Sequence, residues 1–87
     1  MHFAKIQIWN RRDSPHVCYV EPCGDDFTLL SNEGLEIQAW ELTGPPWFYL
    51  SEGEDSTSIN LENCDCHAFE VSQNGVRLES GHRLGDG

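Results

Sequence analysis

The side chains in this chain with the most evident chemical potential are its cysteines, which come in two pairs. Cys18 and Cys23 stand in a C-x4-C spacing with His16 two positions ahead, and Cys64-Asp65-Cys66 runs directly into His67. Four thiolates, or three with an imidazole, would close a tetrahedral zinc site. Neither spacing is the usual C-x2-C knuckle. On an extended strand Cys64 and Cys66 point to the same side, which permits joint ligation without requiring it. Buried cysteines also serve as small apolar side chains. The expectation is therefore free thiols and no required cofactor. Cys18, Cys23, Cys64 and Cys66 are the ligands if zinc is bound after all, and a disulfide is the remaining arrangement.

A nucleophilic cysteine needs a base and an orienting group beside it. Cys66 and His67 do not meet that need, because consecutive strand residues face opposite ways. His2 and His67 read as hydrogen-bonded structural histidines. None of the G-x-S-x-G, H-E-x-x-H, P-loop or dinucleotide signatures occurs. Carboxylates are too numerous for any pair to stand out as an acid–base couple. The chain reads as non-catalytic.

Charge is the stronger signal. Fifteen Asp and Glu against five Lys and Arg give a formal net charge of -10. The basic residues are Lys5, Arg11, Arg12, Arg77 and Arg83, so the interval between Arg12 and Arg77 holds no cation while thirteen acids fall inside it. Direct nucleic-acid binding rests on cations that neutralise phosphates, and Arg11 with Arg12 is too small a footprint. An acidic surface suits a basic partner, and the largest class of basic surfaces binds DNA or RNA. Carboxylates on a rigid scaffold can occupy the Lys and Arg sites that normally hold phosphates. The candidate partner-binding residues are those in loops: Asp25 and Asp26, Glu33, and Glu52, Glu54 and Asp55. The competing account is a solvated acidic surface that keeps the protein soluble.

The elements that must position these residues read as strands. Phe3 to Trp9 alternates, with Ala4, Ile6 and Ile8 on one face. His16 to Glu21 and Phe27 to Leu30 follow as short strands rich in β-formers. Ser31-Asn32-Glu33-Gly34 suits a turn with Gly34 in the left-handed region. Leu35 to Leu50 carries two of the three tryptophans and one of the two tyrosines, and it is where the core is expected, with Trp40 and Phe48 at its centre. Leu35 to Leu42 alternates like a strand, although the Thr43-Gly44-Pro45 stop also admits a short helix there. Trp47 to Leu50 is a strand that is apolar on both faces. Ser51 to Ser58 reads as an acidic loop and Ile59 to Leu61 as a short strand. Asn74-Gly75 is a preferred two-residue hairpin turn. It joins Ala68–Gln73 to Val76–Ser80 with Phe69, Val71, Val76 and Leu78 inward, and it sets Glu70 opposite Glu79.

A chain of 87 residues buries only about 60–65% of its unfolded surface, which leaves little room for an enclosed site. The expectation is one all-β domain over residues 1–80, a small antiparallel barrel or sandwich, with 81–87 as a disordered tail. No targeting or membrane segment is visible, so a cytoplasmic setting is expected. The sequence leaves the oligomeric state open. By size and charge the expected role is that of a small acidic antagonist of a nucleic-acid-binding protein or nuclease. Phage anti-CRISPR proteins, DNA-mimic inhibitors and immunity proteins exemplify that class of phage and mobile-element proteins. The alternative is a zinc- or thiol-containing adaptor that binds another protein through its aromatic residues.

Overall fold

Alternation of apolar and polar residues forces most of this chain into strands that are buried on one face only, and two such faces must cover each other. The computed structural model describes residues 1–81, and they form a sandwich of two four-stranded sheets without a helix. The strands are β1 (His2–Trp9), β2 (His16–Glu21), β3 (Asp25–Leu29), β4 (Gly34–Glu41), β5 (Trp47–Glu52), β6 (Ser56–Glu62), β7 (Phe69–Gln73) and β8 (Val76–Arg77). One sheet has the order β1-β4-β7-β8 and the other β3-β2-β6-β5. The second is mixed, because β2 and β6 run parallel, with Cys18 beside Thr57 and Val20 beside Ile59. The expectation of an antiparallel sheet holds for every other pair.

The core lies between the sheets. Leu35, Ile37, Ala39 and Val71 from one sheet meet Cys18, Val20, Phe27, Leu29, Ile59 and Leu61 from the other. The first half of the Leu35–Leu50 stretch therefore anchors the core, as a strand and not a helix. The second half does not. Trp40 and Phe48 are only partly buried, and Trp47, Tyr49 and Leu50 are 53%, 59% and 43% exposed. For the β5 residues the reason is position: β5 is an edge strand of its sheet, and no strand of the described chain covers its far side. Trp40 belongs to the first half, on β4, where alternation with the core-facing Ala39 turns it to the outer face.

Other local expectations shift by small amounts. The β3–β4 turn puts Asn32 in the left-handed region, at φ 65, in place of Gly34. Gly34 is required for a different reason, since a Cβ there would lie 2.7 Å from the Trp9 ring. The segment read as an acidic loop and a short strand is mostly ladder: β5 runs on to Glu52 and β6 begins at Ser56. The Asn74-Gly75 hairpin forms in the expected register, with Gln73 opposite Val76 and the Leu78 amide donating to the Val71 carbonyl. Val76 does not turn inward; it is 64% exposed, because the hairpin tip extends past the core. Strand β8 ends at Arg77, so the ladder stops short of the expected Glu70–Glu79 pair, and on its other side Glu70 stands opposite Gln38. Gly81, expected in the tail, donates its amide to the Asp26 carbonyl at 2.8 Å. The rest of that tail lies outside the described residues.

The chain changes sheets between β1 and β2, and a single buried side chain holds that crossing. Asn10 is 1% exposed. Its Nδ2 donates to the carbonyls of Ser14 (2.9 Å) and Leu29 (3.0 Å), and its Oδ1 accepts from the Arg12 amide at 3.1 Å. Its own amide donates to Glu33 O and its carbonyl accepts from Asn32 N, both at 2.8 Å. Every polar group of the residue is used, and the end of β3 and the β3–β4 turn are fixed to it. Asn10→Ala removes the three side-chain bonds and strands the Leu29 carbonyl in a buried position. At about 1 kcal/mol net per bond, with a further penalty for the stranded group, the variant is expected to lose about 2–4 kcal/mol in urea denaturation. A loss below about 1 kcal/mol would show that the crossing is held elsewhere.

Candidate functional site

The structure overturns the expectation of four free thiols. Cys23, in the β2–β3 turn, and Cys66, in the β6–β7 connection, form a disulfide with Cα atoms 5.6 Å apart. Two of the four sulfurs in the candidate zinc set are thereby bonded to each other. The remaining two are not equivalent to each other. Cys18 points into the core from β2, and burial pushes its thiol up to about 11, with Arg12 opposing weakly. It stays protonated at neutral pH and behaves as a small apolar residue. Cys64 is raised as well, chiefly by burial. A backbone hydrogen bond with Trp40 opposes that shift, while Glu41 and Asp65 add to it. Its Sγ lies 3.3 Å from the Ala68 carbonyl.

The disulfide marks one end of the sandwich. Glu21 ends β2, Asp25 and Asp26 open β3, Glu41 ends β4, Glu62 ends β6, and Asp65 sits in the connection that carries Cys66. These turns and strand ends contain no Lys or Arg, and Arg77 of β8 lines a cleft with Asp25 and Cys66. The opposite end holds the β1–β2 loop, the β3–β4 turn and the β5–β6 turn, and with them both Arg11 and Arg12.

The six candidate binding acids are thus not brought together. Asp25 and Asp26 are at the disulfide end, in a strand and half-buried, and the Asp26 amide donates to Ser80 Oγ at 3.3 Å. Glu33, Glu52, Glu54 and Asp55 are at the other end. Glu33 shapes its own turn, with Oε1 accepting from the Leu30 amide at 2.8 Å. Glu52 pairs with Arg12 at 3.4 Å, and the Asp55 carbonyl accepts from the Val17 amide. Glu54 and Asp55 keep the exposed side chains that loop placement suggested. Sequence reasoning missed Glu21, Glu41, Glu62 and Asp65, because strand pairing and not chain proximity collects them.

Cations are placed asymmetrically as well. Lys5 pairs with Glu36 at 3.2 Å on the outer face of the β1-β4-β7-β8 sheet. The Arg11 guanidinium lies 5.5 Å from the Trp9 ring centroid. The outer face of the other sheet has none. Alternation and register place on it Asp26, Tyr19, Glu21, Asn60, Glu62, Tyr49 and Trp47, together with Thr28, Val17 and three serines. It is an acidic face with aromatic side chains along its β5 margin.

Two clefts stand out among the described residues, and both are small. One beside Trp9, Gly34 and Asn74 encloses about 190 Å³, and another beside Cys66, Phe69 and Arg77 about 240 Å³. Ligand pockets begin near roughly 300 Å³. A cluster of three or more metal-ligating side chains is not found among the described residues, and no described helix is long and apolar enough to cross a membrane.

Among the described residues, His16 is buried and carries a side-chain nitrogen with no hydrogen-bond partner. It is 1% exposed, its Nε2 is 2.8 Å from Thr57 Oγ1, and its Nδ1 has no partner. Burial lowers its pKa below the ordinary 6.5, Arg12 lowers it further, and Glu52 and Asp55 oppose them. The folded state thus favours the neutral ring. The unfolded chain takes up a proton below pH about 6.5 that the folded chain resists, so stability present above that pH is lost as pH falls. Wild type is expected to lose stability between pH 7 and pH 5 at up to about 1.4 kcal/mol per pH unit from this group. In urea titrations at both pH values His16→Gln should lose distinctly less over the same range. Identical pH dependence in the two proteins would remove His16 from the account.

The disulfide closes a loop with a sequence separation of 43, for which loss of unfolded-chain entropy gives up to about 4 kcal/mol. Replacing Cys23 and Cys66 together by Ser is expected to cost about 2–4 kcal/mol by denaturant unfolding. A Cys18→Ala, Cys64→Ser protein should keep a stability that reductant lowers. No effect of reductant on that protein would show that the bond does not stabilise the fold.

No protein-family model matches this chain, and no characterised protein or solved structure matches it at a significant level.

Proposed function

We propose that this protein is a small, non-catalytic acidic binding domain that occupies a basic surface on a nucleic-acid-binding protein or nuclease and blocks it. The observation that carries this reading is the gathering of Glu21, Asp25, Asp26, Glu41, Glu62 and Asp65 at the disulfide end, six acids against Arg77 of β8, the one described Lys or Arg that shares a cleft with Asp25 and Cys66. The site differs from the loop acids singled out by sequence. Carboxylates held on strand ends are more rigid than those on loop tips, so fewer rotamers are lost when an Arg or Lys docks against them. Like charges crowded at one end raise the local field and speed encounter with a cationic surface. The clefts are too small to favour a substrate pocket, which supports a surface-binding role.

The adaptor reading is favoured by one observation, the exposure of Trp47 and Tyr49. It separates from the first by salt. Binding through carboxylates weakens as salt shortens the Debye length from about 10 Å at 0.1 M toward 3 Å at 1 M, whereas aromatic anchors are little affected.

The test uses a partner captured from the source cells and then purified. Asp25→Asn, Asp26→Asn, Glu62→Gln and Asp65→Asn combined should weaken its binding at least tenfold at low salt, with a smaller loss at 0.3 M. Glu54→Gln with Asp55→Asn, at the Arg-bearing end, should change it less than threefold. Equal effects from the two sets, or binding that is indifferent to salt, would defeat the proposal.

A further inference from the structure

Strand β5 ends its sheet with one row of backbone N–H and C=O groups that no described strand pairs. Native edges of this kind are normally blunted by a Lys, a Pro within the strand, a bulge or a covering loop. Here Trp47–Glu52 contains no Lys or Pro and pairs residue for residue with β6 without a bulge, and its one charge, Glu52 level with Thr57 and paired with Arg12, guards only the far end of the strand. Its side chains are exposed on both sides of the sheet. Trp47 and Tyr49 are 53% and 59% exposed on the outer face, and Leu50, on the core side, is 43% exposed. An exposed core-facing leucine at an edge is what remains when the strand that would cover it is absent.

We propose that β5 accepts an extended segment of the partner as an added strand, and that this segment alternates basic and apolar residues. The alternation follows from the pleat. In an added strand, residues level with Trp47 and Tyr49 project to the outer face, within cross-strand distance of those rings. A guanidinium there stacks on Trp or Tyr while its charge faces the acidic sheet beyond. Glu62 is opposite Trp47 on β6, and Glu21 is one strand further, level with Asn60 and Tyr49. The alternate residues of the segment turn toward the core side and cover Phe48 and Leu50. Main-chain hydrogen bonds supply affinity and the alternating side chains supply selectivity, as in other strand-addition complexes. A second copy of this chain is a poor occupant, because each copy carries a net charge of -10 and like charges repel at the edge.

This inference rests on the basic-partner reading and adds where and how the partner is held. The probe is a synthetic peptide alternating arginine and valine. Its controls are a peptide of the same composition with the valines grouped together, and the alternating peptide N-methylated at every second amide so that one edge cannot pair. With the isotopically labelled protein at low salt, the alternating peptide is expected to slow amide exchange in Trp47–Glu52 at least tenfold and to quench tryptophan fluorescence. Trp47→Ala and Tyr49→Ala, both exposed positions, should each weaken its binding about tenfold. The methylated and grouped peptides should bind at least tenfold more weakly. If all three peptides bind alike, or if protection appears at the disulfide end and not in β5, strand addition is overturned while the basic-partner reading stands. If none binds at any salt, both fall. A stable dimer in sedimentation, protected at β5, would assign the edge to a second copy and overturn the proposal.

Discussion

The hydrogen bonds of Asn10 are the constraint on which the sandwich depends. A chain that moves from one sheet to the other must carry polar backbone through an apolar layer, and each unpaired group there costs about 1–3 kcal/mol. Asn10 resolves this at the first crossing by serving as donor and acceptor for Ser14, Leu29, Arg12, Glu33 and Asn32 together. The same contacts fix where β2 begins. With Asn10 anchored, His16, Cys18 and Val20 face inward and Val17, Tyr19 and Glu21 face out. A shift of one residue would invert that pattern and place the carboxylate of Glu21 in the core.

The far end is secured by covalent chemistry instead. The Cys23–Cys66 bond ties the β2–β3 turn to the β6–β7 connection, and so bridges a hairpin of one sheet to the entry into the other. A domain this small has limited apolar surface to bury, and a cross-link that restricts the unfolded chain offsets part of that deficit. It also holds apart, at fixed positions, a set of acids that would otherwise repel one another. Disulfides persist chiefly in oxidising compartments. The thiol reading drawn from a cytoplasmic setting therefore fails for these two cysteines. It holds for Cys18, whose burial keeps it protonated, and for Cys64, which is also free.

Much of the fold was legible in local pattern and little of the site was. The alternation of Ala4, Ile6 and Ile8, the bounds of His16–Glu21, and the Asn74-Gly75 turn are set by residues within a few positions of one another, where steric and pleat rules act directly. What escaped depends on residues distant in sequence. The parallel pairing of β2 with β6 brings Glu21 level with Asn60 and near Glu62, and nothing in either segment marks the other as its neighbour. Asn10 read as turn material because its polarity is satisfied by carbonyls as far away as Leu29. Trp47–Leu50 read as core because hydrophobicity reports a preference for burial, while exposure was decided by the strand's place at the sheet edge. Cysteine pairing is likewise a property of the folded chain, since four cysteines permit three full pairings as well as partial ones.

Edge exposure and acidity, each costly alone, become compatible when considered together. An unpaired apolar strand invites association with copies of itself. A net charge of -10 opposes that association, and Glu21 and Glu62 on the same sheet oppose it locally, over a range of about 8–10 Å at physiological salt. The repulsion does not extend to a cationic strand, for which the same field is attractive. On the reading proposed above, the carboxylates act on specificity from both directions, disfavouring the self-complex and favouring a basic one. The aromatic rings at the margin would serve either purpose only as surface, and in that proposal the charge around them decides which partner reaches the edge.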